Sequence, residues 1–119
     1  MADVVALIDD LFFQAKLRET ARQTGINVET ATDAEQLLAA AAASPAALVI
    51  VDLNARGGAL EAVKQLNRLE TPGNHRRVIA FLSHVQTELA EQARAAGCGE
   101  VMPRSQFTQN LAAILRSSK

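Results

Sequence analysis

Three short runs of apolar residues constrain the fold of this chain more than any other feature of its sequence. They occupy residues 4–8 (VVALI), 47–51 (ALVIV) and 78–82 (VIAFL), and none alternates with polar residues. Strands that are apolar on both faces must be covered on both faces, as in a parallel sheet between helices. Two weaker strands are predicted at residues 26–28 and 100–102.

Helical patterns, each with an apolar side, fill the intervals after the strands. They lie, in chain order, between Asp10 and Gly25, from Thr32 to Ser44, around 60–69, between Thr87 and Gly97, and around 107–115. In the second, Thr32 is expected to cap the helix and Glu35 to bond back to it, as in a capping box. Alternating strands and helices predict a single α/β domain over residues 1–119. The favoured form is a flavodoxin-like (βα)5 three-layer sandwich with a parallel sheet in the order 2-1-3-4-5.

The composition excludes several classes of protein. The 119 residues include 12 Lys and Arg and 13 Asp and Glu, and a net charge of −1 argues against a general nucleic-acid binder. The single cysteine, Cys98, leaves no internal disulfide, and it is expected to be a small buried residue in a turn. No apolar run reaches the roughly 18 residues of a membrane span. Residues 1–3 resemble no signal segment, so a cytoplasmic location is expected.

Polar side chains follow the predicted strands at their carboxyl ends. Asp9 and Asp10 follow the first strand, and Asp52 follows the third. Ser83 follows the fourth strand and Arg104 the fifth. Ligands bind at this end of an open parallel sheet, so we expect these side chains to converge. Carboxylates attract a hard divalent cation such as magnesium, while a hydroxyl and a cation neutralise an oxyanion. The set predicts attack of a carboxylate on phosphorus, which gives an aspartyl phosphate.

Four segments carry a resemblance to a known family. They are residues 8–10 (IDD), 48–54 (LVIVDLN), 81–83 (FLS) and 96–104 (AGCGEVMPR). In this order and spacing they resemble the receiver domains of bacterial two-component response regulators. The resemblance extends from Val4 to about Leu115.

The resemblance implies a role for each polar residue. It makes Asp52 the phosphoacceptor and Ser83 the hydroxyl that grips the phosphoryl group. Asp9, Asp10 and Asp52 would bind magnesium, with Asp10 the more direct ligand of the first two. The carbonyl of Leu53 would also face the metal. The implied partners are a histidine kinase or phosphotransfer protein and a downstream target protein, with no enzymatic activity beyond phosphotransfer and dephosphorylation at Asp52.

The sequence departs from the family in the half of the site that senses phosphorylation. Arg104 stands where the family has a lysine, and a guanidinium fork is not a conservative replacement for an ammonium. Val101 replaces a frequent switch aromatic, and His84 replaces a small residue after the hydroxyl. Arg56 stands where the loop after the acceptor usually has a proline.

The sequence does not determine the position of the Arg104 side chain. Its guanidinium either pairs with Asp52 or Asp10, which would neutralise the site permanently, or points into solvent. Arg56 is a second candidate partner for Asp52.

Two aromatic residues and a basic segment also have ordinary structural interpretations. Phe12 and Phe13 are adjacent, so they cannot both face the core well. Burial or partial burial is favoured, and exposure of one as a docking surface is the alternative. Residues 74–77 (NHRR) are predicted to form a solvated loop.

Three functions remain open. The first is a stand-alone receiver that accepts a phosphoryl group on Asp52 with magnesium and signals by binding another protein. The second is a pseudo-receiver, a protein-interaction module that works without phosphorylation, which Arg104 and His84 favour. The third, a flavodoxin-like small-molecule binder, is disfavoured because residues 9–13 (DDLFF) are anionic and apolar where a glycine- or Ser/Thr-rich phosphate loop is needed.

Overall fold

Five parallel strands form the centre of the computed structural model, which describes residues 2–45, 47–69, 76–83 and 86–118. The strands are β1 (Val4–Leu7), β2 (Val28–Ala31), β3 (Leu48–Asp52), β4 (Val78–Leu82) and β5 (Glu100–Pro103). They form one sheet in the order β2-β1-β3-β4-β5, and each neighbouring pair is parallel. The predicted fold class and strand order are therefore confirmed.

Helices cover both faces of the sheet. In the described residues they are α1 (Leu11–Thr24), α2 (Ala34–Ala43), α3 (Ala59–Leu69), α4 (Thr87–Ala96), α5 (Arg104–Gln109) and α6 (Leu111–Arg116). One apolar core lies between the sheet and α2, α3 and α4, and a second lies between the sheet and α1, α5 and α6. Side chains of a strand point alternately to the two faces, so β1 sends Val5 and Leu7 into the first core and Val4 and Ala6 into the second.

The second strand begins later than predicted. Gly25 ends α1 in the left-handed region at φ 72°, and the N–H of Ile26 bonds back to the carbonyl of Ala21 at 2.9 Å. Ile26 therefore belongs to the end of the helix. Pairing with β1 starts at Val28, opposite Val4, so the prediction of a strand at 26–28 was wrong in its boundaries.

The cap of α2 is shifted by one residue from the predicted pair. Asp33 is the N-cap, and its Oδ1 accepts from the N–H of Gln36 at 2.8 Å. Gln36 Oε1 accepts in return from the N–H and the hydroxyl of Thr32, at 2.9 and 3.0 Å. Thr32 and Glu35 are thus not the capping pair, because the carboxylate of Asp33 is a stronger acceptor at the positive end of a helix.

The predicted fifth helix is divided in two at Asn110. Its side-chain Nδ2 donates to the carbonyl of Gln106 at 2.8 Å, and its backbone N–H is shared between Gln106 and Phe107. Asparagine competes with the helical backbone in this way. The predicted apolar stripe is nevertheless confirmed, since its members are buried in one core: Phe107, Leu111, Ile114 and Leu115.

Candidate functional site

The structure brings three of the predicted residues into contact at the carboxyl end of the sheet. Asp10 caps α1 after β1, Asp52 is the last residue of β3, and Arg104 begins α5 after β5. Arg104 Nη2 lies 3.1 Å from Asp52 Oδ2, and Nη1 lies 3.6 Å from Asp10 Oδ2. Of the alternatives for Arg104, pairing with a carboxylate is therefore the correct one: the guanidinium hydrogen-bonds to Asp52 and also lies within ion-pair distance of Asp10.

Asp52 is buried, with 1% of its surface exposed. Its Oδ1 accepts from the N–H of Asn54 at 2.9 Å, and its Oδ2 accepts from Arg104. Burial raises the pKa of Asp52 above its ordinary value, against the lowering effects of the Asn54 N–H and the Arg104 charge. The carboxylates of Asp9 and Asp10 raise it further. Asp52 is thus a buried acid whose charge depends on its partners.

Arg104 rests on an aromatic surface. Its Cζ lies 5.1 Å from the ring centre of Phe13 and 5.2 Å from that of Phe81. The two rings stack on each other at 5.1 Å, and Phe107 stacks on Phe81 at 4.5 Å. A guanidinium is attracted to the face of such rings. The side chain is therefore held by two carboxylates and by two rings.

Each of the two acids after β1 accepts backbone hydrogen bonds with one of its oxygens. Asp10 Oδ1 accepts from Phe12 at 2.9 Å and from Phe13 at 3.3 Å, which caps α1. Asp9 Oδ2 accepts from the N–H of Arg56 at 2.9 Å. Arg56 thus enters the site through its backbone, and in the described residues the ion pair to Asp52 comes from Arg104 instead.

In this arrangement the acids do not fit a magnesium ion. Within residues 2–45, 47–69, 76–83 and 86–118, no three Asp, Glu, His or Cys side chains are grouped so that they could hold a metal. Oxygen donors suit magnesium chemically. However, Arg104 spans the oxygens of Asp10 and Asp52 that the backbone leaves available. The predicted site of Asp9, Asp10, Asp52 and Leu53 stays a prediction, and it requires the guanidinium to withdraw.

Leu53 and Ser83 are placed by their backbones. Leu53 is buried and donates its N–H to the carbonyl of Phe81 at 2.9 Å. The N–H of Ser83 donates to Asn54 Oδ1 and to Gln86 Oε1, both at 3.1 Å. The role of the Ser83 hydroxyl stays a prediction. His84 and residues 74–75 lie outside the described residues.

An amide pair that sequence reasoning missed joins two loops of the site. Asn54 Nδ2 donates to Gln86 Oε1 at 2.7 Å, and Gln86 is the residue that precedes α4. Asn54 also holds Asp52 through its N–H. The hydrogen bonds thus run from Asp52 to the start of α4. Asn54 stood in a segment already singled out, whereas nothing in the sequence marked Gln86.

The other residues that the sequence marked differ in how far they are buried. Phe13 is buried, whereas Phe12 is 90% exposed, so the interpretation of Phe12 as a core or partly buried residue was wrong. Consecutive residues of a helix face different directions, and α1 turns Phe12 away from the sheet. Cys98 is buried as predicted, and burial raises the pKa of its thiol to about 11. Val101 is half-buried and packs against the first core.

Solved structures that match this chain include receiver domains and response regulators. The receiver domain of NtrX from Brucella abortus gives a TM-score of 0.79 at 19% identity, over 97% of this chain and 96% of that chain. The chemotaxis response regulator CheY4 of Vibrio cholerae gives 0.80 at 23% identity, over 100% and 99%. In the co-crystal structure of the Saccharomyces cerevisiae histidine phosphotransfer protein Ypd1 with the receiver domain of Ssk1, the matching chain gives 0.79 at 17% identity, over 94% and 84%. No protein-family model and no curated protein sequence matches.

These likenesses concern the whole described architecture. They cover nearly the full length of this chain and of the receiver-sized structures. Among the described helices, none is both long and apolar enough to cross a membrane. This chain therefore has the fold of response-regulator receiver domains.

Proposed function

We propose that this chain is a receiver module of two-component signalling that accepts a phosphoryl group on Asp52. One observation carries the proposal. The buried carboxylate of Asp52 lies at the carboxyl end of the sheet, with its Oδ2 facing a side-chain cation rather than a backbone group. This contact supports a role for Arg104 in countering the charge of a phosphoryl group that arrives at this oxygen.

The chain's own residues account for the chemistry of the step. A carboxylate oxygen of Asp52 forms a bond to phosphorus as the P–N bond of a phosphohistidine, or the P–O bond of acetyl phosphate, breaks. The electron pair leaves with the imidazole, which takes up a proton, or with acetate. Oδ1 keeps its bond to the Asn54 N–H, and the long Arg104 side chain shifts from Oδ2 to the phosphoryl oxygens. Ser83 donates its hydroxyl to the same group.

The partners follow from this step. The donor is a histidine kinase or a phosphotransfer protein, and the output is the binding of a downstream protein. A solved complex supports the first part, since a receiver domain with this fold was crystallised with the histidine phosphotransfer protein Ypd1. A signalling module of this kind works in the cytoplasm and is not an enzyme in its own right.

Intact mass spectrometry tests the proposal. The protein is incubated with acetyl phosphate, with and without Mg²⁺, beside Asp52→Asn and the control Asp3→Asn at the other end of the sheet. We expect a mass gain of one phosphoryl group in the wild type and in Asp3→Asn, and none in Asp52→Asn. A gain that persists in Asp52→Asn, or no gain in any protein, overturns it.

A second function is favoured by the same ion pairs. Arg104 already pairs with Asp52 and contacts Asp10, so the charge of Asp52 is countered without a phosphoryl group, which favours a pseudo-receiver that works without phosphorylation. No mass gain, together with no change in the amide NMR spectrum on adding beryllofluoride and Mg²⁺, would support this second function. The next experiment would then be a search for constitutive partners.

A further inference from the structure

We propose that Arg104 is a built-in cation that bridges Asp10 and Asp52 and excludes a divalent metal ion from the position between them. The proposal concerns the same site as the proposed function, but it does not require Asp52 to be phosphorylated. Its basis is the way in which this one side chain is held by four partners: Asp10, Asp52, Phe13 and Phe81.

The shape of the guanidinium allows it to contact two acids at once. Its two terminal nitrogens contact different carboxylates, Nη2 with Asp52 at 3.1 Å and Nη1 with Asp10 at 3.6 Å. A lysine ammonium is a single compact centre, so it lacks the two separated nitrogens of this fork. Arginine at this position therefore joins the two acids directly, as a shared metal ion would.

All four oxygens of the Asp10 and Asp52 carboxylates have a partner in the structure. Asp10 Oδ1 is committed to the N–H groups that begin α1, and Asp52 Oδ1 to the N–H of Asn54. The remaining Oδ2 atoms are the ones that Arg104 contacts. A metal that bound the Oδ2 atoms of both acids would have to displace the guanidinium, and one that bound their Oδ1 atoms would have to share them with the backbone N–H groups. Either change weakens metal binding.

The rings of Phe13 and Phe81 keep the guanidinium of Arg104 in place. The guanidinium carbon lies 5.1 Å from the ring centre of Phe13 and 5.2 Å from that of Phe81, and both rings are buried. Arginine stacks on ring faces better than the smaller, strongly hydrated ammonium of lysine. Phe13 and Phe81 are thus positioning residues for the bridge.

Isothermal titration with MgCl₂ tests the exclusion, on the wild type, Arg104→Lys, Arg104→Gln and the control Arg116→Lys, an exposed residue at the end of α6. We expect Arg104→Lys to bind Mg²⁺ at least about tenfold more tightly than the wild type, a difference of about 1.4 kcal/mol. Arg104→Gln should bind more tightly still, and Arg116→Lys should match the wild type. Equal or weaker binding by both Arg104 variants overturns the proposal.

A second pair of variants tests the aromatic surface. Phe13→Leu keeps an apolar side chain but removes the ring face, whereas Phe13→Tyr keeps the ring. We expect Phe13→Leu to gain Mg²⁺ affinity by a smaller factor than Arg104→Lys, and Phe13→Tyr to behave as the wild type. If Phe13→Leu shows the wild-type affinity, the positioning role is wrong. Failure of acetyl phosphate labelling would remove the proposed function but leave these comparisons intact.

Discussion

Asp52 combines two opposing properties at the scale of a single residue. Burial disfavours its charged form, while Arg104 and the N–H of Asn54 favour it. The charged form of Asp52 is therefore stabilised by two contacts, the N–H of Asn54 and the guanidinium of Arg104. Losing the Arg104 contact would leave a buried carboxylate with one backbone hydrogen bond, and uncompensated buried charge is costly.

The pH dependence of stability follows from the raised pKa of Asp52. Above the ordinary aspartate pKa of 3.8 and up to the raised pKa, the folded protein binds more protons than the unfolded chain. The free energy of unfolding contributed by Asp52 therefore falls as the pH rises through this window. We expect Asp52→Asn to remove that component, so that its stability relative to the wild type grows with pH. Urea unfolding at a series of pH values measures it.

A variant of Arg104, the cation beside Asp52, tests the same pKa shift in the opposite direction. Arg104→Gln removes a charge that lowers the pKa of Asp52, so the falling part of the profile should extend to higher pH. Parallel pH profiles for the wild type and Asp52→Asn would contradict the assignment.

At the scale of elements, the loop after β3 is tied to the start of α4. Asn54 bonds to Asp52 through its backbone and to Gln86 through its side chain. Ser83, at the end of β4, bonds to both amides. The amide pair thus connects Asp52, through Asn54, to the residue that precedes α4.

We expect Gln86→Ala to loosen the start of α4. The variant loses the side-chain acceptor for Asn54 and Ser83, but the Ser83 N–H keeps its bond to Asn54 Oδ1, so the net loss is one hydrogen bond, worth about 1 kcal/mol. Amide hydrogen exchange in the first turn of α4 should accelerate about fivefold. Gln92→Ala, at an exposed position of the same helix, is the matched control. Equal exchange rates in the two variants would show that the amide pair does not hold the helix.

At the scale of the whole molecule, the site and one apolar core share residues. Phe81 is fully buried in the core under α1, α5 and α6, and its ring also lies beneath Arg104. Phe13 is shared in the same way. The geometry of the site is therefore fixed by core packing, and the packing depends on the whole sheet being formed.

Two phenylalanine variants should separate core from surface. Phe81→Ala creates a cavity in a fully buried position, and we expect it to lower the free energy of unfolding by about 3–5 kcal/mol. Phe12→Ala removes the same side chain from a position that is 90% exposed and should change stability by less than about 0.5 kcal/mol. Chemical denaturation followed by circular dichroism measures both. Losses of similar size would contradict the assigned burial.

The sequence determined the architecture because burial on both faces leaves a clear local signature. The runs that became β1, β3 and β4 are apolar throughout, and right-handed crossovers then leave few strand orders. The polar residues at the strand ends were also identified from the sequence, since parallel strands end at the same side of a sheet. Local competition decided the details that were missed: the start of β2, the Asp33 cap and the break at Asn110.

The tertiary structure alone decided how the site is connected. A long side chain such as Arg104 has many rotamers, and its choice of Asp10 and Asp52 depends on carboxylates and rings brought together from distant parts of the chain. The Asn54–Gln86 pair likewise joins residues 32 positions apart. The sequence specified which groups reach the carboxyl end of the sheet, because strand ends are encoded locally. Which group contacts which was decided by packing, because only the folded sheet sets the distances between them.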